Sequence, residues 1–423
     1  MAVRGLSRAR GAGRRVPVHR IIALCLAVAF AMVTTQAAIA DPGQLDPTFS
    51  SDGRIILRDA RAVEVRLQAD GKVLVVDGNG EVRRYTGTGT LDRTYAGGDG
   101  KVQTGVAALA AETRADGSLL VMGPMSGSVS FGLVRLTPGG AFDGSFGGDG
   151  RVERVSGAAF TPSDVAIGPG GRIYVVGSAY SFESAPMRTV AVAAFASDGG
   201  ALTEFGGDGF VQRAYNGTDA TAAAAVVQAD GRVVVAGWFH QEPREEDGGT
   251  QAMGVMRLTT AGTFDRSFGS GGAKRVVFPD RSYCAATGVV VHPVSGDVYL
   301  GGTQWSFDEQ VGSFAVARLD RDGTVEMRGH EGSVGIGESI ALQGAKVWIV
   351  GTHRVVDPPC WQLTRFDASG AIDVQAVFED FDGSARYARS AVVRDGRLYV
   401  AGAADVPIGD TYFLGGVARF MTS

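Results

Sequence analysis

The stretch Gln228-Ala229-Asp230-Gly231-Arg232-Val233-Val234-Val235-Ala236-Gly237 reads as the end of one strand, a tight turn and a second strand. An Asp-Gly pair suits a two-residue hairpin, because glycine tolerates the positive φ of the turn and aspartate assists it. The valines that follow have the β-branched content of a strand. The phrase returns as Gln68–Gly78, Arg114–Gly123, Gly168–Gly177, His292–Gly301, Leu342–Gly351 and Val393–Gly402, which makes seven copies. From Gly71 to Gly396 the turn glycines recur every 54 residues or so, about the period of propeller blades and longer than most solenoid repeats.

Two further phrases accompany the copies. One is an apolar run ending in arginine plus Leu, Phe or Tyr: Arg84-Tyr85, Arg135-Leu136, Arg257-Leu258, Arg318-Leu319, Arg365-Phe366 and Arg419-Phe420, with Ala194-Phe195 in the third copy. The other comes after a Gly-containing turn, as in Leu91-Asp92-Arg93-Thr94-Tyr95, with relatives at Phe142–Gly150, Leu202–Gly209 and Phe264–Gly272. Each unit therefore reads as four short strands. The expected fold is all-β, a seven-bladed β-propeller of four-stranded blades. The near-continuous apolar runs suit sheets covered on both faces. The seventh copy ends after its third strand, and an orphan fourth-strand phrase, Leu45-Asp46-Pro47-Thr48-Phe49, stands near the start. The N-terminal strand is thus expected to complete the last blade, leaving no open sheet edge at the seam.

The combination of the Ala-Asp-Gly hairpin, the Arg-Leu strand end and the Leu-Asp-x-Thr-Phe phrase resembles the delta-60 repeat family of bacterial secreted and surface proteins, from about Gln44 to the C-terminus. That resemblance implies a propeller-like fold and export. It brings no catalytic residues. The recurrent arginine has a structural explanation: it stands once per blade beside Asp92, Asp143, Asp265 or Asp373, as a partner for that aspartate or a cap for turn carbonyls.

Residues 1–40 read as a signal peptide and 41–423 as a single propeller domain. Six arginines precede the apolar run Ile21–Val33, and Ala38-Ile39-Ala40 is a small-residue cleavage site, so cleavage is expected after Ala40. The apolar run is shorter than a membrane span. Removing the leader takes away six arginines and no acids, which moves the net charge from −5 to −11. An acidic chain of this kind argues against nucleic acid and anionic lipid as partners. The expected location is secreted, periplasmic or at the cell surface, as a monomer. Cys284 and Cys360 remain in the exported chain, and their even number makes them a candidate disulfide, with two buried thiols as the alternative.

Candidate sites fall in two places. The connections between second and third strands vary in length and collect aromatic residues, which supply stacking area for a glycan, peptide or protein. The candidates there are Trp238, Phe239, His240, Trp305, Phe307, His353 and Trp361. The starts of the inner strands carry Glu64, Asp164, Glu338 and Arg389, which are candidates for a channel site. No H-x-H, HExxH or CxxC spacing occurs and no G-x-S-x-G elbow, so neither a metal nor a cofactor is expected. The leading functional expectation is a secreted scaffold for ligand or protein binding. The alternative is an extracytoplasmic hydrolase or lyase with its site at the channel mouth.

Overall fold

A computed structural model of the chain describes residues 41–125, 130–155, 160–181, 187–215, 218–240, 251–278, 283–306, 311–332, 334–354, 359–378, 385–408 and 411–423. The expected leader and Phe307 lie outside them. Each copy of the repeat forms one four-stranded antiparallel sheet, and there are seven such sheets. Blade one shows the pattern: inner strand Ala62–Leu67, then Val73–Asp77, Glu81–Tyr85 and outer strand Lys101–Gln103. Blades two to seven have inner strands Ala110–Thr113, Thr161–Ile167, Ala220–Val227, Tyr283–Val291, Gly335–Gln343 and Ala385–Arg394. Each of these touches the next, and Ala385–Arg394 touches Ala62–Leu67, so the seven surround one axis. The seventh sheet runs Arg54–Leu57, Thr411–Met421, Arg397–Ile408, Ala385–Arg394, with Arg54 opposite Ala418 and Leu57 opposite Gly415. No helix among the described residues is long and apolar enough to cross a membrane.

The recurring phrases now have physical reasons. In six blades the inner strand carries a bulge that skips one residue: Val63, Ser163, Ala223, Thr287, Glu338 and Arg389. The bulged backbone presses on the second strand. A Cβ at Gly237 would overlap the carbonyl oxygen of Thr221, and Gly177, Gly302, Gly351 and Gly402 meet the same obstacle from their own inner strands; Gly123 meets the Ala107 carbonyl just ahead of its inner strand. Close backbone approach, rather than a turn, is what these six glycines serve; Gly78 in blade one meets only the Val63 side chain, at 3.6 Å. The second strand therefore continues past the glycine, to His240 in blade four and Ser306 in blade five.

The arginine and the Asp-x-Thr-Phe phrase form a clamp on the rim. Arg257 Nε donates to Asp265 at 2.7 Å, Nη1 donates to the carbonyl of Arg321 in the next blade, and Nη2 donates to Ser267 Oγ at 3.2 Å. Its guanidinium lies 4.6 Å over the buried ring of Phe268. Arg84 repeats this with Asp92, Thr94, Tyr95 and the carbonyl of Pro138; Arg135 repeats it with Asp143, Ser145, Phe146 and the carbonyl of Ser197. Arg419 in blade seven takes Asp46, Thr48 and Phe49 from the N-terminal segment and donates to the carbonyl of Gly87 in blade one. In blade three, where Ala194 stands in place of the arginine, Arg213 of the outer strand donates to the Gly262 carbonyl of blade four at 2.6 Å.

Blades five and six lack the full fourth-strand phrase, yet Val325–His330 and Ile372–Phe378 form their outer strands. Buried Glu331 holds the seam between them, accepting from Gln362 Nε2 and Thr364 Oγ1, both at 2.6 Å, and from Gln375 Nε2 at 3.2 Å. The candidate disulfide is absent: Cys284 and Cys360 are both buried thiols and are not bridged to each other. Cys284 packs with Met253, Phe268 and Phe278 of blade four, on the side of blade five that faces away from blade six and Cys360.

Candidate functional site

The inner strands enclose an axial cavity of about 1110 Å³. Its lining runs from the bulges to the hairpins that join first and second strands, Asp116 and Gly168–Gly171 among them. Glu64, Asp164, Glu338 and Arg389 all line it, so the structure brings together the four channel candidates. The bulges place them. Glu338 and Arg389 are the skipped residues themselves, and Glu64 and Asp164 directly follow Val63 and Ser163. A bulge turns side chains that would otherwise enter the blade toward the axis.

Some of this polar layer ties blades together. Asp164 accepts from the Ala225 amide of blade four at 2.9 Å and from its own neighbour Val165 at 2.8 Å. Ser163 Oγ donates to the Ala222 carbonyl at 2.8 Å, and Thr287 Oγ1 to the Gly337 carbonyl at 2.9 Å. Ser339 Oγ accepts from the Ala391 amide at 3.2 Å.

Beside these ties lies a charged constellation. Arg66 pairs with Glu64 at 2.6 Å and with Glu112 at 3.4 Å. Ser390 Oγ, from blade seven, donates to Glu64 Oε2 at 2.6 Å and accepts from Arg66 Nη1 at 3.2 Å. The side chain of Glu112 keeps 34% of its surface exposed, against 13% for Glu64. Arg66 and Glu112 were missed in the sequence. The available signal was the strand period of two, since Arg66 lies two residues beyond Glu64 and Glu112 takes the matching place in blade two.

Burial pushes the Glu64 carboxyl up to about 7, with Arg66 and Ser390 pulling it back and the Asp164 and Glu112 charges adding to the rise. Burial likewise pushes Asp164 up to about 6, against the pull of the Ala225 and Val165 amides and Arg66. Arg66 stays charged: burial works against it, but Glu64, Glu112 and Asp164 hold it above the ordinary arginine range. Glu338 is raised by burial and lowered in part by Arg389 and Arg354. Desolvated acids that titrate near neutrality are characteristic of functional sites. No group of three metal-ligating side chains occurs among the described residues.

The aromatic candidates sit differently. Trp238, Phe239 and His240 belong to the strand Val233–His240 and not to a loop. Phe239 is buried and stacks on Tyr215 at 4.5 Å; Trp361 is buried beside Phe378 at 5.9 Å. Their rings fill the core and present no face to a ligand. Trp238, His240, Trp305 and His353 are half-buried at the ends of second strands, beyond the bulges and away from the cavity lining. They are spread over blades four, five and six.

A family model described as a domain of unknown function (DUF5122) β-propeller matches residues 114–146 and 228–268. Both segments run from the Asp-Gly hairpin to the aromatic residue under the clamp arginine, in blades two and four. No curated protein sequence matches the chain. Among solved structures it is similar to the β-propeller domain of Myceliophteria thermophila Cps50 (Swd1), at 10% identity over 86% of this chain and 98% of that one, TM-score 0.49. It is also similar to Kuenenia stuttgartiensis hydrazine synthase, at 13% identity over 81% and 93%, TM-score 0.48. A third is Drosophila Semaphorin 1a extracellular domains 1-2, at 10% identity over 87% of each chain, TM-score 0.45. These likenesses carry nothing about chemistry.

Proposed function

We propose that this chain is an exported propeller of the delta-60 type that binds a small ligand in its axial cavity. The observation that carries the reading is the constellation Glu64–Arg66–Glu112 in a cavity of about 1110 Å³, large enough for a drug-sized molecule. The leader-like first forty residues support export. A thermal-shift screen of a fragment library tests the reading, with wild type and Ala223→Trp run in parallel. Ala223 is a skipped residue at the bulge layer and lines the cavity, so a tryptophan there projects into it and obstructs the apolar wall of blade four. Hits that raise Tm of the wild type by several degrees and fail with a folded Ala223→Trp variant support it. Hits that survive the substitution place binding elsewhere.

A second reading, a hydrolase or lyase, draws on the titration of Glu64 near 7, which suits a general acid at neutral pH. Turnover of chromogenic ester or glycoside substrates, lost in Glu64→Gln and bell-shaped around pH 7, would favour it. Absence of turnover in the wild type would leave the binding reading alone.

A further inference from the structure

The cavity has two unlike walls. Blades one to three contribute Glu64, Arg66, Glu112 and Asp164, and blades six and seven contribute Glu338, Ser390 and Arg389. Blades four and five contribute Ala223–Val227, Thr287, Gly288, Val289 and Val290, with no charged side chain among them. The polar wall is also unbalanced. Around the single guanidinium of Arg66 stand three carboxylates, while Arg389 offsets Glu338 and the mouth arginine Arg114 offsets Asp116 at 3.6 Å. Arg394, also in the lining, donates to the Gln68 and Ala69 carbonyls and pairs with Asp395 at 3.6 Å, so five lining carboxylates face four guanidiniums. A desolvated layer with more carboxylates than cations favours a ligand that brings positive charge. The oxygens do not converge as a metal site does: Asp164 spends both on backbone amides and Glu64 Oε2 is taken by Arg66 and Ser390. Glu112 is more exposed than Glu64, at 34% against 13%. The uncharged wall opposite asks for hydrocarbon, since a bare metal ion or a polar sugar would leave it in contact with water.

We infer that the axial cavity takes an organic cation with an apolar body, such as an alkylammonium, its charge set against Glu112 and Glu64 and its hydrocarbon along the alanine–valine wall of blades four and five. This rests on the cavity reading above and narrows it to one ligand class. The ammonium completes the charge balance of the layer, and the chain length is limited by the distance from Glu112 to the far hairpins.

Isothermal titration calorimetry of the protein at pH 8 tests it with three probes that share an eight-carbon chain and differ in head group: octyltrimethylammonium, octanoate and octyl glucoside, each kept below its micelle concentration. The expected result is one-to-one binding of the cation, at least tenfold tighter than either other probe. Glu112→Gln weakens the cation about five- to tenfold and leaves octyl glucoside unchanged; Ala223→Trp, checked for an unchanged circular dichroism spectrum, abolishes cation binding. Glu112→Gln keeps the test readable if the tryptophan variant does not fold. Equal or tighter binding of octanoate or octyl glucoside, lost in Ala223→Trp, overturns the cation inference while leaving the cavity reading standing. Cation binding that survives both substitutions also overturns it. So does no binding of any probe, and the cavity reading is then decided by the fragment screen.

Discussion

Arginine–carboxylate pairs occur at two radii of this ring, and they behave in opposite ways. On the rim, Asp46, Asp92, Asp143 and Asp265 each face a clamp arginine and all are held below the ordinary carboxylate range. For Asp46, Asp92 and Asp265 burial alone would raise the value, but the hydroxyl and amide of the Thr or Ser two residues on, together with arginine, outweigh it; for Asp143 the Ser145 hydroxyl is the largest influence. At the axis, Glu64 and Asp164 are raised to about 7 and about 6, because burial outweighs their bonds and one arginine is shared among three carboxylates. An ion pair surrounded by donors is a structural fastener. An ion pair short of positive charge and set in a cavity leaves carboxyls that titrate nearer neutrality.

The largest effect that would break this comparison is on the rim at the seam. Deleting residues 41–57 removes Asp46, Thr48, Phe49 and the strand opposite Thr411–Met421, leaving Arg419 without Asp46 and one blade with a bare edge. Thermal denaturation is expected to show a fall in Tm of ten degrees or more, about what several kcal/mol implies, or aggregation. Next is Arg257→Ala, which takes from Asp265 its buried guanidinium, in a pair whose side chains are 3% and 9% exposed, and leaves it only the half-exposed Arg232 and the Ser267 donors. It should cost about 3–5 kcal/mol by urea denaturation. Arg318→Ala, in the blade whose fourth strand lacks the aspartate, should cost about 1 kcal/mol. Equal costs would mean that the aspartate adds nothing to the clamp.

A smaller effect concerns pH. A rim aspartate, lowered in the folded state, contributes stability above its unfolded pKa, and that contribution is lost as pH falls through the lowered value, under pH 4. Glu64 has the reverse sign. Its raised value favours the folded state below about pH 4.5, and the benefit is lost as pH rises through about 7. Stability should therefore drop by on the order of 1–3 kcal/mol between pH 5 and pH 8, and Glu64→Gln should flatten the profile over that interval. The smallest effect is at Arg232, 41% exposed beside Asp230 and Asp265. Arg232→Ala is expected to change stability by less than about 1 kcal/mol, because water and salt screen the pair; a larger cost would make the clamp an extended network.

The architecture was legible because the repeat is a direct record of local geometry. Gly231 at φ 85° closes the hairpin, but as the last residue of a three-residue loop rather than of the expected two-residue turn: its amide donates to the Gln228 carbonyl, the Gln228 amide donates to the Arg232 carbonyl, and Asp230 keeps a negative φ. The clamp arginines do find the aspartates that recur beside them. Gly237 misled, since a glycine closing a valine run reads as a strand end when it in fact makes room for a bulge carbonyl. That shift moved Trp238 and Phe239 from an expected loop into the sheet. Glu331 carried no signal at all: its partners Gln362, Thr364 and Gln375 belong to the next blade. In the channel, Glu64 and Asp164 stood out as charges among apolar residues, whereas the imbalance around Arg66 appears only when three blades meet at the axis.

The claim that the axis differs in kind from the rim is tested most directly by an NMR titration of side-chain carboxyl carbons, with Glu64 assigned through Glu64→Gln. The account predicts a midpoint for Glu64 of about 7, while Asp265 stays ionised below the ordinary carboxylate range. A Glu64 midpoint between about 4 and 5, the ordinary range for glutamate, would contradict it.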